Sequence, residues 1–383
     1  MTTSNSTNDT KQLILRVGII GCGEIAQVAH IPNINFLSHL FQITYLCDIS
    51  AQTLEHCSRK VQGLIPKTTT DPEKLCSSDE VDVVLIANAD AYHVEHALLA
   101  LKHDKWCLVE KPLSLCFRDL DKLVEAEKSS KGKVFVGTMR RFATAFTDAV
   151  QEVGGMDTIT YARVRDIIGP NSVFVGQSGT FPQKFTDFTD ADAEDRMRRE
   201  ADIHQQALHS EFGVPVTPES KRMLGLLGSL GTHDLSAMRE ILGMPQRVAG
   251  AMLTFPGIFS VLFDYGTFPC TYESGNHNIP EFDAHIEVYS PDKIVRVEID
   301  TPYVKGLPTV MTIKEKVGDG GFQERKIRKT YEDAYILELY EFYRCVVDGA
   351  TPKTSAADAR NDIELFKMIM QADAGRYSQL GKP

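Results

Sequence analysis

Leu13-Ile14-Leu15-Arg16-Val17-Gly18-Ile19-Ile20, followed at once by Gly21-Cys22-Gly23-Glu24-Ile25-Ala26, is the stretch that decides the fold of this 383-residue chain. The first eight residues are a continuous β-rich run, the pattern of a central parallel strand buried on both faces. The next six read G-x-G-x-x-A, and Gln27 to Leu40 opens with helix formers. Gly21 permits a tight turn, Gly23 lets backbone approach a pyrophosphate, and small Ala26 allows the helix to pack on the strand. The N–H groups at the helix start then face phosphates. Strand, turn and helix in this order predict a dinucleotide site.

Working outward, Phe41 to Cys47 reads as a second strand that ends in Asp48. An acid there accepts the ribose hydroxyls of an adenosine half, and its charge repels a 2′-phosphate. Asp48-Ile49-Ser50 also enters a helical pattern, so Asp48 is equally placed to cap that helix, and the two roles can coexist. With no arginine beside it, the pattern favours NAD over NADP. Glu80 to Ala89 holds another buried strand with Asn88 at its C-terminal end, where ligands of such sheets collect. Tyr92 and His93 open a helix over Val94–Leu101, a position where a histidine is structural or lines a cofactor pocket. The run Trp106-Cys107-Leu108-Val109 leads into Glu110-Lys111-Pro112, then a helix at Phe117–Ser129 and a strand at Lys133–Gly137. Proline holds the exit of that strand rigidly. A desolvated lysine there serves as a hydrogen-bond donor or tuned acid. The β-α-β succession predicts a doubly wound parallel sheet.

Bulk properties narrow the class. Apolar content of 43% and charged content of 24% describe a globular protein too long for one core. A net charge of −11 argues against nucleic acid or an anionic membrane as partner. The eight cysteines, at 22, 47, 57, 76, 107, 116, 270 and 345, never pair as C-x-x-C, which predicts reduced buried thiols and no metal site. Residues 1–12 are Ser/Thr/Asn-rich and read as a disordered tail, and no apolar run reaches the ~18 residues of a membrane span. The expected setting is the cytoplasm.

Taken together, these motifs resemble the family that includes glucose–fructose oxidoreductase, inositol dehydrogenase and the rhizopine-catabolism oxidoreductases (Gfo/Idh/MocA). The resemblance covers Arg16 to about Phe142: G-C-G-E-I-A at 21–26, Asp48, E-K-P at 110–112 and V-G-T-M-R-R-F at 136–142. It implies an α/β fold with an N-terminal Rossmann domain, residues 13–141. A C-terminal α/β domain, 142–383, would carry a large, mostly antiparallel sheet that covers the nicotinamide and mediates homo-oligomers. It also implies cofactor contacts from the turn (Gly21, Gly23, Glu24, Ile25), from Asp48, Asn88 and His93, and from Glu110, Lys111 and Arg141. Family members mostly move hydride at a carbinol or carbonyl of sugars and cyclitols.

Past Arg141 the rhythm changes. Thr158–Ile167, Arg247–Leu253, Ile258–Phe263, Phe268–Glu273, Ala284–Ser290, Ile294–Ile299 and Val310–Lys316 are strand-like, as in an antiparallel sheet. Asp190–Lys221 reads as a solvated helical insertion, with His204 and His209 at its surface. Segments 268–278 and 301–306 suit either a polar pocket or a plain hairpin, and Ala334–Asp348 and Ala356–Gln371 are packing helices. Leu224–Leu242 resembles the family's second catalytic segment, D-x-x-x-H on a helix. His233 takes the histidine position, suited to exchanging a hydroxyl proton near neutrality. Ser229 stands where the family has aspartate; it shares a helix face with His233 but supplies no charge. The catalytic expectation is therefore Lys111 and His233, with Ser229 beside them. The expected activity is NAD-dependent hydride transfer at a secondary alcohol or ketone of a sugar, cyclitol or sugar-bearing metabolite such as a nucleoside. The alternatives are an NAD-retaining glycosidase working by transient oxidation, and a non-catalytic NAD-binding regulator.

Overall fold

The computed structural model describes residues 13–254 and 257–375. The tail expected over residues 1–12 lies outside that range. Six strands form an all-parallel sheet in the order β3-β2-β1-β4-β5-β6. These are β1 (Leu15–Ile20), β2 (Phe41–Cys47), β3 (Lys67–Thr69), β4 (Val83–Ile86), β5 (Trp106–Glu110) and β6 (Val134–Gly137). Parallel neighbours need crossover connections. The helices α1 (Ile31–Phe36), α2 (Ala51–Ser58), α3 (Pro72–Cys76), α4 (His93–Lys102) and α5 (Phe117–Ser129) provide them. This is the doubly wound order, whose strand direction of growth reverses beside β1 and opens a crevice at the C-terminal ends of β1 and β4.

A second sheet of eight strands runs β14-β13-β12-β11-β7-β10-β9-β8. It comprises β7 (Tyr161–Ile168), β8 (Arg247–Thr254), β9 (Ile258–Asp264), β10 (Pro269–Asn276), β11 (Phe282–Tyr289), β12 (Lys293–Ile299), β13 (Val310–Val317) and β14 (Gly321–Ile327). Its described pairings are antiparallel except β7 with β10. The sequence pattern missed β14, because Gly321–Ile327 is polar and exposed over nearly its whole length and carries no alternation. Between β6 and β8 lie α6 (Thr144–Gly154), α7 (Asn171–Gly176), α8 (Asp190–His204), α9 (Pro218–Leu226) and α10 (Thr232–Leu242). The stretch after α8 is more than a solvated insertion. Ala207, Leu208, Phe212 and Val214 are buried in the main core, so charge density describes only α8 itself.

The closing helices α11 (Ala334–Asp348) and α12 (Ala356–Ala372) return to the first sheet. Phe342 of α11 packs on Phe41 and Phe135, with ring centroids 6.5 and 5.4 Å apart. Val136 N–H donates to the Thr354 carbonyl at 2.7 Å, and Phe135 bridges to Ser355, so the exposed side of edge strand β6 is covered. All eight cysteines are free and buried, and burial pushes the Cys47 and Cys76 thiols up to about 12. No helix among the described residues is long and apolar enough to cross a membrane.

Candidate active site

The glycine-rich turn closes the C-terminal end of β1. Gly21 has φ +91°, and a Cβ there would lie 2.4 Å from the Asn88 backbone nitrogen, so only glycine lets the ends of β1 and β4 approach. A Cβ on Gly23 would meet nothing within 4 Å, which leaves open space directly over the turn. Asp48 at the end of β2 orients this turn: one carboxylate oxygen accepts from Cys22 N–H at 2.8 Å and the other from Ser50 N–H at 2.9 Å. Burial raises its pKa; the two backbone bonds oppose that, and the nearby Asp187 charge adds to it. Asp48 is not the helix cap, however. Ser50 caps α2 by accepting from Thr53 N–H at 2.9 Å, because its side chain stands directly before the first turn. The open cradle over Gly23 and the lone pairs left on Asp48 fit a dinucleotide with its pyrophosphate at the turn and its ribose at the strand end.

Asn88 and His93 lie across the crevice. The Asn88 amide contacts His96 Nδ1 at 2.9 Å, while its Oδ1 is buried without a partner. His93 is buried between two carbonyls, Pro112 O at 2.7 Å and Asn88 O at 3.1 Å, and so ties the β4 loop to the β5 loop. Glu110 is buried against His30, with Nε2 2.8 Å from its carboxylate. Burial alone would raise the Glu110 pKa, but the His30 contact and the charges of His30 and Lys111 hold it below the usual range. Glu24 and Ile25 flank the turn, and Glu24 accepts from Asn171 at 3.3 Å. Arg141 does not point at this crevice. Its buried guanidinium pairs with Glu240 and Asp358, because the 3₁₀ turn Met139–Phe142 aims it towards α10 and α12.

Lys111 leaves β5 and donates to the Ser229 backbone carbonyl at 2.7 Å. Burial lowers its pKa, with Glu110 opposing and Arg140 adding to the effect. Leu227–Gly231 is wound as a wide π turn between α9 and α10, an irregularity frequent at functional sites. Ser229 thus meets Lys111 through its carbonyl, while its own hydroxyl reaches only the Leu226 carbonyl at 3.5 Å. His233 follows at the start of α10, buried, with Nδ1 unpartnered. Burial and the charges of Lys111 and Arg140 drive its pKa well below the ordinary imidazole value. The shift runs away from the titration near neutrality that the sequence suggested for this imidazole.

Beneath His233 lies a cluster that sequence reasoning missed. Arg140 donates to Asp166 at 2.9 Å and to Asp234 at 2.5 Å, all three being buried. Burial and Asp166 hold Asp234 far above the usual carboxylate range despite Arg140. Tyr272 is fully buried nearby, its hydroxyl without a partner. Within segment 268–278, Pro269–Asn276 is the interior strand β10, which forms a hairpin with β9 and pairs with β7 on its other side. Tyr303, from the other undecided segment, feels the charges of Glu110, Glu24 and Arg140, which places 301–306 beside the crevice; burial raises its pKa. One signal for this cluster was available: in Tyr161–Ile168 the inward positions are Ala162, Val164, Asp166 and Ile168, so an aspartate falls on the core face.

Residues 15–138 match the model of the oxidoreductase family with an NAD-binding Rossmann fold. Myo-inositol 2-dehydrogenase of Thermotoga maritima is 25% identical over 357 residues, 90% of this chain and 92% of that protein. Inositol 2-dehydrogenase 3 of Saccharopolyspora erythraea is 32% identical over 150 residues, but the match spans only 43% of it. Among solved structures, KijD10, a 3-ketoreductase from Actinomadura kijaniata, superposes with a TM-score of 0.69 at 14% identity, over 94% of this chain and 98% of that one. An oxidoreductase from Thermotoga maritima gives 0.68 at 20%, over 94% and 97%. At such identities these two establish the fold alone. Residues 15–138 thus carry the NAD-binding Rossmann domain of the Gfo/Idh/MocA oxidoreductase family, and nearly the whole chain is similar to a curated myo-inositol 2-dehydrogenase.

Proposed function

We propose that this oxidoreductase is an NAD-dependent dehydrogenase or reductase acting on a secondary alcohol, or the matching ketone, of a sugar, cyclitol or sugar-bearing metabolite such as a nucleoside. The observation that carries the reading is the bond from the Lys111 ammonium to the Ser229 carbonyl, in the turn that leads into the buried His233. Bound nicotinamide supplies the hydride acceptor or donor. Lys111 spends one N–H on Ser229 and keeps two for the reacting oxygen, concentrating positive charge where alkoxide develops. His233, whose Nδ1 is buried, accepts the hydroxyl proton through its other ring nitrogen during oxidation. Curated relatives named as inositol 2-dehydrogenases support a polyhydroxylated ring as substrate.

Steady-state assays with NAD over a panel of polyols, sugars and nucleosides test this. The expected result is NADH released in step with product for at least one cyclitol or sugar. Turnover without free NADH would favour the NAD-retaining glycosidase, and no turnover of any member would favour a regulator. We further propose assembly through the eight-stranded sheet; light scattering that gives only the 42.6 kDa monomer at working concentrations would refute it.

A further inference from the structure

Segment 177–189 of the second domain, between α7 and α8, crosses the face of the first domain at three anchor points. Gln27, fully buried one turn past the glycine-rich turn, donates to the Gln183 carbonyl at 3.0 Å and accepts from Gln183 N–H at 2.9 Å. Lys60, just past α2, donates to the Thr180 carbonyl at 2.6 Å. Further along the segment, Asp187 sits on the N-terminus of α2, accepting from the Ser50 hydroxyl and, at 3.1 Å, from Gln52 N–H.

That position matters because of what the adenosine ribose brings to it. In this fold the strand-end acid, here Asp48, meets the ribose hydroxyls, and a 2′-phosphate must be accommodated beside it. The available donors there are the Ser50 hydroxyl and the amides opening α2, backed by the positive end of the helix dipole. Asp187 already takes the Ser50 hydroxyl and the Gln52 amide, with its own negative charge. The cations at the far end of α2 are committed elsewhere, Arg59 to Glu55 and Lys60 to Thr180. Asp48 and Asp187 also lie close enough for the Asp187 charge to raise the Asp48 pKa.

We infer that Asp187 is a second cofactor-specificity residue, delivered from the other domain, which fills the 2′-phosphate position and makes the site selective for NAD. The inference rests on the dinucleotide reading of the Gly21–Ala26 turn. It differs from the role of Asp48, which shapes the turn as well as meeting the ribose. Asp187 is exposed and acts by occupancy and charge, so its removal relieves repulsion of a phosphate dianion without disturbing the turn.

Isothermal titration of the full-length protein with ADP-ribose and 2′-phospho-ADP-ribose tests this without turnover. Wild type is expected to prefer ADP-ribose. Asp187→Asn, which keeps an acceptor for Gln52 N–H, should shift the affinity ratio about tenfold towards the phosphorylated ligand, the scale of one unit charge facing a dianion several ångströms away in a watery dielectric. Asp187→Ser should shift it in the same direction, and Asp187→Glu, which keeps the charge, should hold the ratio near wild type. An unchanged ratio in Asp187→Asn and Asp187→Ser, with Asp48→Asn alone shifting it, would overturn the inference. So would an equal gain for both ligands, which would make Asp187 a plug rather than a selector. If wild type bound neither ligand, the dinucleotide reading would fail first and this inference with it.

Discussion

The Lys111 ammonium holds the backbone carbonyl of Ser229 at 2.7 Å, across 118 residues of sequence. That single bond joins the exit of a Rossmann strand to the π turn that leads into α10 and His233. The bond uses the main chain, so it does not depend on the side chain at position 229.

Lys111→Ala should leave NADH affinity within a few-fold of wild type, since phosphates and adenosine are addressed by the Gly21–Ala26 turn and Asp48. Its loss should fall on kcat, by about 10²- to 10³-fold for a main electrostatic donor. Fluorescence titration of NADH beside steady-state kinetics separates the two. Near-full activity in this variant would reduce Lys111 to a strand-end structural residue.

The pH dependence of oxidation follows from His233. Its folded pKa lies well below the ordinary imidazole value, so the proton-accepting neutral form persists as pH falls through that value. The His233-dependent step should therefore stay flat from about pH 8 to about pH 6 and decline only in more acidic solution. A sigmoid centred near neutrality that vanishes in His233→Asn would contradict this placement.

Arg140 is the cation between two buried aspartates, Asp166 and Asp234. Arg140→Met removes it and strands both carboxyls in the core, at a cost of about 3–5 kcal/mol by urea denaturation. Asp234→Asn should cost less, because burial and Asp166 already favour its protonated form. A loss in Arg140→Met smaller than that in Asp234→Asn would show that the aspartates need no cation.

Glu338, on α11, is fully buried, and neither carboxylate oxygen has a partner. Burial, with Glu110 and Asp333 nearby, raises its folded pKa well above the usual value. The folded state thus holds a proton that the unfolded chain releases above about pH 4.5, and stability drops as pH rises, by about 1.4 kcal/mol per unit until the folded pKa is passed. Glutamine does not titrate, so the advantage of Glu338→Gln over wild type should widen from pH 4.5 upward. A pH-independent difference in melting temperature would rule out a protonated Glu338.

How far the site could be read in advance depended on how local its causes are. The glycine-rich turn, the strand-end Asp48 and the Lys111-Pro112 corner were legible because each is set by backbone rules acting over a few residues. Asp48 and Ser50 show the limit of that legibility: both stand before α2, and only the chain direction at the strand end made Ser50 the cap. Arg140 and Arg141 are adjacent and chemically identical, yet one joins the cluster under His233 and the other ties α10 to α12. No periodicity separates them, because their partners come from strands and helices distant in sequence.

By itself the sequence determined a Rossmann domain, a change to antiparallel pairing beyond it, and the identities of Lys111 and His233. Hydrophobic period and turn chemistry act locally, so one chain suffices to reveal them. Tertiary structure alone decided the burial of His233 beside two cations, the buried Arg140–Asp166–Asp234 cluster and the arrival of Asp187 beside Asp48. Each depends on charges and burial assembled from distant segments, and electrostatic interactions are felt across space rather than along the chain.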